Sequence, residues 1–261
     1  MKRFSVNCFH SLELQVASTL SFERASCYFR RHGSSVSSHR WKLRQSKDPF
    51  VELAKERGFR CRSAFKLLEL NDKFHLLTPN RPAAVGTSKT DLLVLDVGAA
   101  PGAWSQVAAS VICNKQDEKT VQFQPGCRGV VAVDLLDIEP IAGVHVMSGF
   151  DIMKQNTSDQ IALLTQNKKF DVILSDMAPN ASGIAGLDAD RLLEMNSHLY
   201  HKIALLQLAR GGSLVLKFWQ TPELKEFSTK LKEKFELVKT FKPKSSRKDS
   251  SEIYVIAKKF K

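Results

Sequence analysis

L-L-V-L-D-V-G-A-A-P-G-A-W, Leu92 to Trp104, is the stretch on which the reading of this chain turns. Leu92–Val97 is a short apolar run without alternation, ending at Gly98, as a parallel strand buried on both faces does. Gly98 and Gly102 remove side chains where the backbone turns sharply and must approach a ligand. Pro101 fixes φ ahead of a helix predicted from about Gly102 to Ile112, whose first turn offers free N–H donors. The glycines are separated by Ala-Ala-Pro instead of following G-x-G-x-x-G. The loop therefore reads less as a pyrophosphate cradle than as a seat for a smaller, zwitterionic ligand.

The same pattern recurs outward from this turn. Gly129–Asp134, Phe170–Asp176, Ser213–Trp219, Phe235–Phe241 and Glu252–Lys258 read as strands, with Val144–Gly149 as a further candidate. Ala64, Leu67, Leu70, Phe74 and Leu77 recur at helical spacing, and 221–234 reads as a helix. A long helix is predicted from about Asp188 to Arg210, stopped at Gly211-Gly212. Pro79–Thr90 reads as a loop and Cys113–Arg128 as a polar insertion. Strands alternating with helices imply an α/β protein with a mostly parallel, doubly wound sheet. In such sheets ligands bind beyond the carboxyl ends of the strands. Asp134, ending the second strand, could accept both hydroxyls of a ribose or serve only as a turn residue. Asp151, after the third apolar run, could accept from an adenine amino group.

The totals bound the function. A chain of 261 residues, 43% hydrophobic and 25% charged, can bury one full-sized domain. No apolar run approaches the roughly 18 residues of a membrane span, so none is expected. The net charge of +12 favours a polyanionic partner. Residues 1–47 hold nine Lys/Arg against two acids, so they carry +7 of this and the remainder +5. Residues 1–45 mix Arg, Ser and scattered apolar residues with few acids. That composition suits a mitochondrial transit peptide, or else a disordered basic arm for RNA, and leaves 48–261 as the folded domain. The five cysteines, Cys8, Cys27, Cys61, Cys113 and Cys127, have neither metal-ligand nor disulfide-framework spacing, so no metal is expected.

Gly98–Gln106 (GAAPGAWSQ), Asp134–Leu136 (DLL), Ser175–Asn180 (SDMAPN) with Ser182-Gly183, Leu214–Lys217 (LVLK) and Ser245–Tyr254 (SSRKDSSEIY) occur in that order. Together they resemble the FtsJ family of ribosomal RNA 2′-O-methyltransferases, over about residues 48 to 261. The resemblance implies a Rossmann-like class I methyltransferase fold, with seven strands, the last antiparallel, and helices on both faces. It implies S-adenosylmethionine as donor, with contacts from Gly98, Pro101, Gly102, Ala103, Trp104, Asp134, Asp151 and Asp176. It also implies a catalytic Lys-Asp-Lys-Glu tetrad on Lys66, Asp176, Lys217 and Glu252. With the basic leader, it points to the mitochondrial branch and to a uridine of large-subunit ribosomal RNA, presented as naked RNA or in a pre-ribosomal particle. The insertion at Cys113–Arg128 and the bulky Phe218-Trp219 after the lysine depart from the bacterial pattern.

Each residue alone admits a plainer role. Lys66 shares a polar helical stripe with Arg62, Glu69 and Lys73, and Glu252 could be an edge-strand carboxylate paired with Arg247 or Lys248. Lys217, ending an apolar strand, is costly without a partner or a task. As a general base it would have to be neutral, a state that burial and Lys66 favour and that Asp176 and Glu252 oppose. As an ammonium it could orient a hydroxyl and stabilise the developing alkoxide. Arg60, Arg62, Lys242, Lys244, Arg247 and Lys248 flank the tetrad and are expected to contact phosphates, or else to solubilise the surface. Rival readings are a nucleotide-dependent oxidoreductase, disfavoured by the missing dinucleotide fingerprint, and a non-catalytic ribosome-assembly factor, which would have a damaged tetrad.

Overall fold

Leu93–Val97 is buried at every position and forms β1, the strand from which the sheet grows in both directions. The computed structural model describes residues 48–78, 92–112 and 129–261. The leader, the 79–90 loop and the 113–128 insertion lie outside the described residues. The other strands are β2 (Gly129–Asp134), β3 (Val144–Ser148), β4 (Phe170–Ser175), β5 (Leu208–Trp219), β6 (Phe235–Phe241) and β7 (Glu252–Phe260), in the order β3-β2-β1-β4-β5-β7-β6. β1 to β5 pair in parallel, and β7 runs antiparallel to both β5 and β6. This is the Rossmann-like class I methyltransferase architecture.

Helices cover both faces. On one face α2 (Ala64–Phe74) and α3 (Ala103–Ile112) pack Leu67, Leu70, Trp104 and Val107 against Val94, Val172, Val215 and Ile256. On the other, α4 (Gln155–Leu164), α5 (Ala185–His198) with the π-helical turn Leu199–Ala204, and α6 (Leu224–Lys234) pack Ile161, Leu199, Ile203, Phe227 and Leu231 against Leu95, Ile173, Leu214 and Leu216. The period-2 alternation of strands then places the chemistry. Asp176 continues the α2-facing series Val172, Leu174; Lys217 continues from Val215; Glu252 and Tyr254 precede Ile256 on the same face.

Two helices were not predicted. α1 (Pro49–Glu56), capped by the Asp48 carboxylate on the Phe50 amide at 3.1 Å, buries only Ala54. α4 buries Thr157 and Ser158 beside Ile161, so it lacks the apolar stripe that periodicity detects. The long helix also ends earlier than expected. Its last helical turn is Leu205–Gln207 and β5 starts at Leu208, which pairs with Phe170 before a register shift brings Ser213 opposite Val172. Gly211-Gly212 thus serves a strand irregularity: Gly211 has φ +80°, and a Cβ on Gly212 would lie 2.7 Å from the Ala209 carbonyl.

Docking of α2 decides whether Lys66 reaches the sheet, and Leu67, fully buried, is central to it. Leu67→Ala should destabilise the fold by about 2–5 kcal/mol, read as a lower denaturant midpoint at unchanged m-value. An unaltered midpoint would show that α2 is not held by this contact.

Candidate active site

Lys66, Asp176, Lys217 and Glu252, distant in sequence, meet at the carboxyl ends of β4 and β5. Lys217 Nζ lies 3.1 Å from Asp176 Oδ1 and also donates to the Asp176 carbonyl. Lys66 Nζ donates to Glu252 Oε2 at 2.7 Å. All four side chains are largely withdrawn from solvent, so neither pair is a screened surface contact. Glu252 is not an edge carboxylate, since β7 lies between β5 and β6, and its partners are Lys66 and Ser246 rather than Arg247 or Lys248.

Burial alone would raise the Asp176 pKa, but Lys217, Lys66 and the Tyr254 hydroxyl outweigh it and hold the carboxyl below its usual range. Burial likewise works against charge on Lys66, yet Asp176 and Glu252 raise its pKa above the ordinary lysine value. Asp176 is therefore held as an anion beside the Lys66 and Lys217 amino groups.

Three further residues belong to the site. Tyr254 donates to Asp176 Oδ1 at 2.7 Å; burial, Asp176 and Glu252 push its phenol well above the ordinary value, so it stays a donor. It stands directly across from Lys217 in the β5–β7 ladder and two residues from Glu252. That i, i+2 spacing was the signal available for it. Asn196, fully buried on α5, donates Nδ2 to the Lys217 carbonyl at 2.7 Å. The β4–β5 ladder runs only to Ser175–Leu216, and the Asp176 amide turns to Val97 of β1, so Asn196 takes over where the ladder stops. Asp96, inside the apolar run of β1, accepts from Ser105 Oγ at 2.6 Å, while its Oδ1 is buried without a partner among the described residues.

The glycine loop adjoins this cluster. A Cβ on Gly98 (φ +72°) would come within 2.8 Å of the Met177 Cα, so the loop packs on the residue that follows Asp176. Asp134 Oδ2 accepts from the Ala100 amide and Oδ1 from the Leu136 amide, both at 2.8 Å. It is thus a loop-holding residue with one lone pair per oxygen still available. Asp151 Oδ1 accepts from the Met153 amide at 3.0 Å, a turn contact. Ala103 and Trp104 are buried, with the indole N–H on the Ser63 carbonyl and the ring 5.6 Å from that of Tyr254. Their side chains support the loop from below.

The flanking cations divide into two groups. Arg60 donates to the Pro101, Glu139 and Pro140 carbonyls, clamping the glycine loop to the segment after β2. Arg62 pairs with Asp48, donates to the Ser245 carbonyl and lies over the Phe50 ring. Both therefore have guanidinium donors engaged in holding the fold. Lys242 donates to the Ser250 carbonyl at 2.6 Å, and Arg247 lies 3.6 Å from Asp48. Lys244 and Lys248 are exposed. Among the described residues, no group of His, Cys, Asp and Glu could hold a metal ion, and no helix is long and apolar enough to cross a membrane.

Burial is the main reason that the Asp96 pKa rises from 3.8 to about 7; the Ser105 bond opposes it, and Asp176 and Asp134 add to it. The folded chain then binds this proton more tightly than the unfolded one, so the contribution is present at low pH and lost between about pH 4 and 7. The span corresponds to about 4 kcal/mol at most. Asp96→Asn should flatten the fall in stability across that window in urea titrations. An identical slope in the variant would mean that Asp96 is ionised throughout.

Comparison with known proteins agrees with this geometry. The profile of the FtsJ-like methyltransferase family matches residues 59–260. The chain is 39% identical over 229 residues to ribosomal RNA large subunit methyltransferase E of Granulibacter bethesdensis, covering 87% of this chain and 86% of that one. It is 35% identical over 230 residues to the mitochondrial rRNA methyltransferase 2 of Drosophila melanogaster, covering 88% and 85% respectively. The crystal structure of a ribosomal RNA methyltransferase from Plasmodium falciparum superposes with a TM-score of 0.60 at 28% identity, over 77% of this chain and 98% of that one. A site of two paired lysines and two carboxylates under a glycine loop, on a fold and sequence matched over this length, places the chain in the FtsJ-like methyltransferase family.

Proposed function

We propose that this chain transfers a methyl group from S-adenosylmethionine to the ribose 2′-hydroxyl of a uridine in mitochondrial large-subunit ribosomal RNA. The observation that carries the reading is the buried Lys217–Asp176–Tyr254 cluster with the Lys66–Glu252 pair beside it. The names of the relatives support ribosomal RNA as substrate. The leader's composition and the Drosophila relative support the mitochondrion.

The residues present fit the donor. Asp134 retains acceptor capacity for ribose hydroxyls, and Leu135 and Leu136, 65% and 57% exposed, offer apolar surface to a purine. The glycine loop and Asp151 would complete its seat. When bound, S-adenosylmethionine supplies a methyl group already activated on a sulfonium. The protein's task is to align a poor nucleophile and manage one proton. Lys217 directs two donor contacts at Asp176, so as an ammonium it keeps one N–H to hold the 2′-oxygen and stabilise charge that develops there. Asp176 and Tyr254 fix the position of Nζ. Lys66 is anchored by Glu252, whose other carboxylate oxygen accepts from the Ser246 hydroxyl. The complete tetrad supports catalysis over a purely assembly-related role.

The test is transfer of labelled methyl to mitochondrial large ribosomal RNA or pre-ribosomal particles, with nucleoside analysis of the product. Wild type should yield a 2′-O-methylnucleoside. Lys217→Ala should lower the rate at least ~10²-fold with donor affinity within about twofold. Tyr254→Phe, which keeps the ring and removes one donor, should cost about tenfold. No transfer by wild type, or full activity in Lys217→Ala, would overturn the reading.

A further inference from the structure

We infer that Asn196 is a positioning residue for the methyl transfer proposed above, acting on Lys217 from the opposite face of the sheet; the inference rests on that reading. The tetrad and Tyr254 lie on the face covered by α2, whereas α5 packs on the other face. Asn196 is fully buried on α5 and donates Nδ2 to the Lys217 carbonyl at 2.7 Å. Its contact with the site thus runs through the main chain, not through any group that meets substrate.

The strand pairing shows why that carbonyl needs a partner. In an antiparallel ladder, opposed residues alternate between pairs that exchange N–H···O bonds and pairs that do not. The Gln220 amide donates to the Ser251 carbonyl at 2.9 Å, so this pair is bonded and Lys217–Tyr254, three steps along the ladder, is not. The Lys217 main chain therefore turns toward β4. Pairing with β4 ends at Ser175–Leu216, and the next β4-side amide, that of Asp176, goes to Val97 of β1. The Lys217 carbonyl is left beyond the last rung, and a side chain from α5 replaces the missing strand.

Packing by itself does not ask for asparagine here. The buried residues before and after it are Leu192, Leu199 and Ile203, and Asn196 Oδ1 is buried without a hydrogen-bond partner among the described residues. A buried acceptor left unpaired is destabilising, and asparagine is a weaker helix former than leucine. The side chain thus sets one gain, the donor to Lys217, against two losses. Departures of this kind persist where function needs them. What Asn196 supplies is a fixed peptide at the root of a flexible four-carbon stem. Rotation of that peptide is carried out to Nζ, where a misplacement of about 1 Å can cost roughly 10²-fold in rate.

The test is methyl transfer to large-subunit ribosomal RNA by the full chain, comparing Asn196→Leu and Asn196→Ala with wild type. Both variants lack the donor, but one fills the buried stripe and the other empties it. Both should lose about tenfold in kcat, to the same extent, with KM for RNA and donor affinity within about twofold of wild type, even where their thermal midpoints differ. A purely structural role predicts instead that the rate follows the midpoint. Introduced on Lys217→Ala, either change should slow the residual rate by less than about twofold, since no ammonium is left to position. Wild-type kcat in the variants, losses that track the midpoint, or full multiplication on Lys217→Ala would each overturn the positioning role and leave the methyltransferase reading intact. No transfer by wild type would remove that reading and the inference with it.

Discussion

A carboxylate largely withdrawn from water must be compensated, and the site is organised around one, Asp176. An isolated anion in such surroundings costs several kcal/mol, which only close, well-directed partners offset. Lys217 and Tyr254 supply those partners from β5 and β7, and Lys66 adds charge from α2. Each partner is itself tethered. Asn196 holds the Lys217 main chain where β4 stops pairing, and Glu252 with Ser246 holds Lys66. Glu69 of α2 accepts from the Lys244 and Ser245 amides at 2.6 and 2.8 Å, tying the loop that carries Ser246 to the helix that carries Lys66. Helix docking and site geometry are thus linked, because the Lys66–Glu252 pair closes only when α2 is seated.

The glycine loop, the proposed seat of the donor, is coupled to the same anion through the backbone. Gly98 packs against Met177, so the loop after β1 and the residue after Asp176 share a contact too tight for any side chain on Gly98. Arg60 fixes the loop from the outside through three carbonyls, and Asp134 fixes it from below through the Ala100 amide. A rigid loop against a rigid anion is what alignment of two reactants demands, since a displacement of about 1 Å can cost two orders of magnitude in rate.

Much of this was legible in the amino-acid order, for physical reasons that also explain what was not. Continuous apolar runs ending in Gly or Asp announce buried parallel strands, and six of the seven strands began within one residue of the expected position, with β5 the exception. Its first residues sit among Ala-Arg-Gly-Gly, where no apolar run marks a strand and only pairing with Phe170 makes one. Lys66, Asp176, Lys217 and Glu252 were picked out through their motifs, and the fold brings their side chains into two ion pairs. Asp96 was hidden because a carboxylate inside LLVLDV is read as part of an apolar run, and its need for Ser105 appears only when α3 folds back. Asn196 was hidden because a polar residue on an amphipathic helix is ordinarily solvated. The structural contacts of Arg60 and Arg62 were hidden because charge can be counted along a chain, whereas the carbonyls that accept from them are contributed by loops remote in sequence.

The central claim is that Tyr254 acts through Asp176, the anion it shares with Lys217, rather than as an independent contributor. A double-mutant cycle on the single-turnover rate, using Asp176→Asn and Tyr254→Phe singly and together, tests this most directly. If the hydroxyl matters by orienting the Asp176 carboxylate, the double variant should be no slower than Asp176→Asn alone. Losses that multiply would show that Tyr254 contributes independently and that Asp176 is not the hub described.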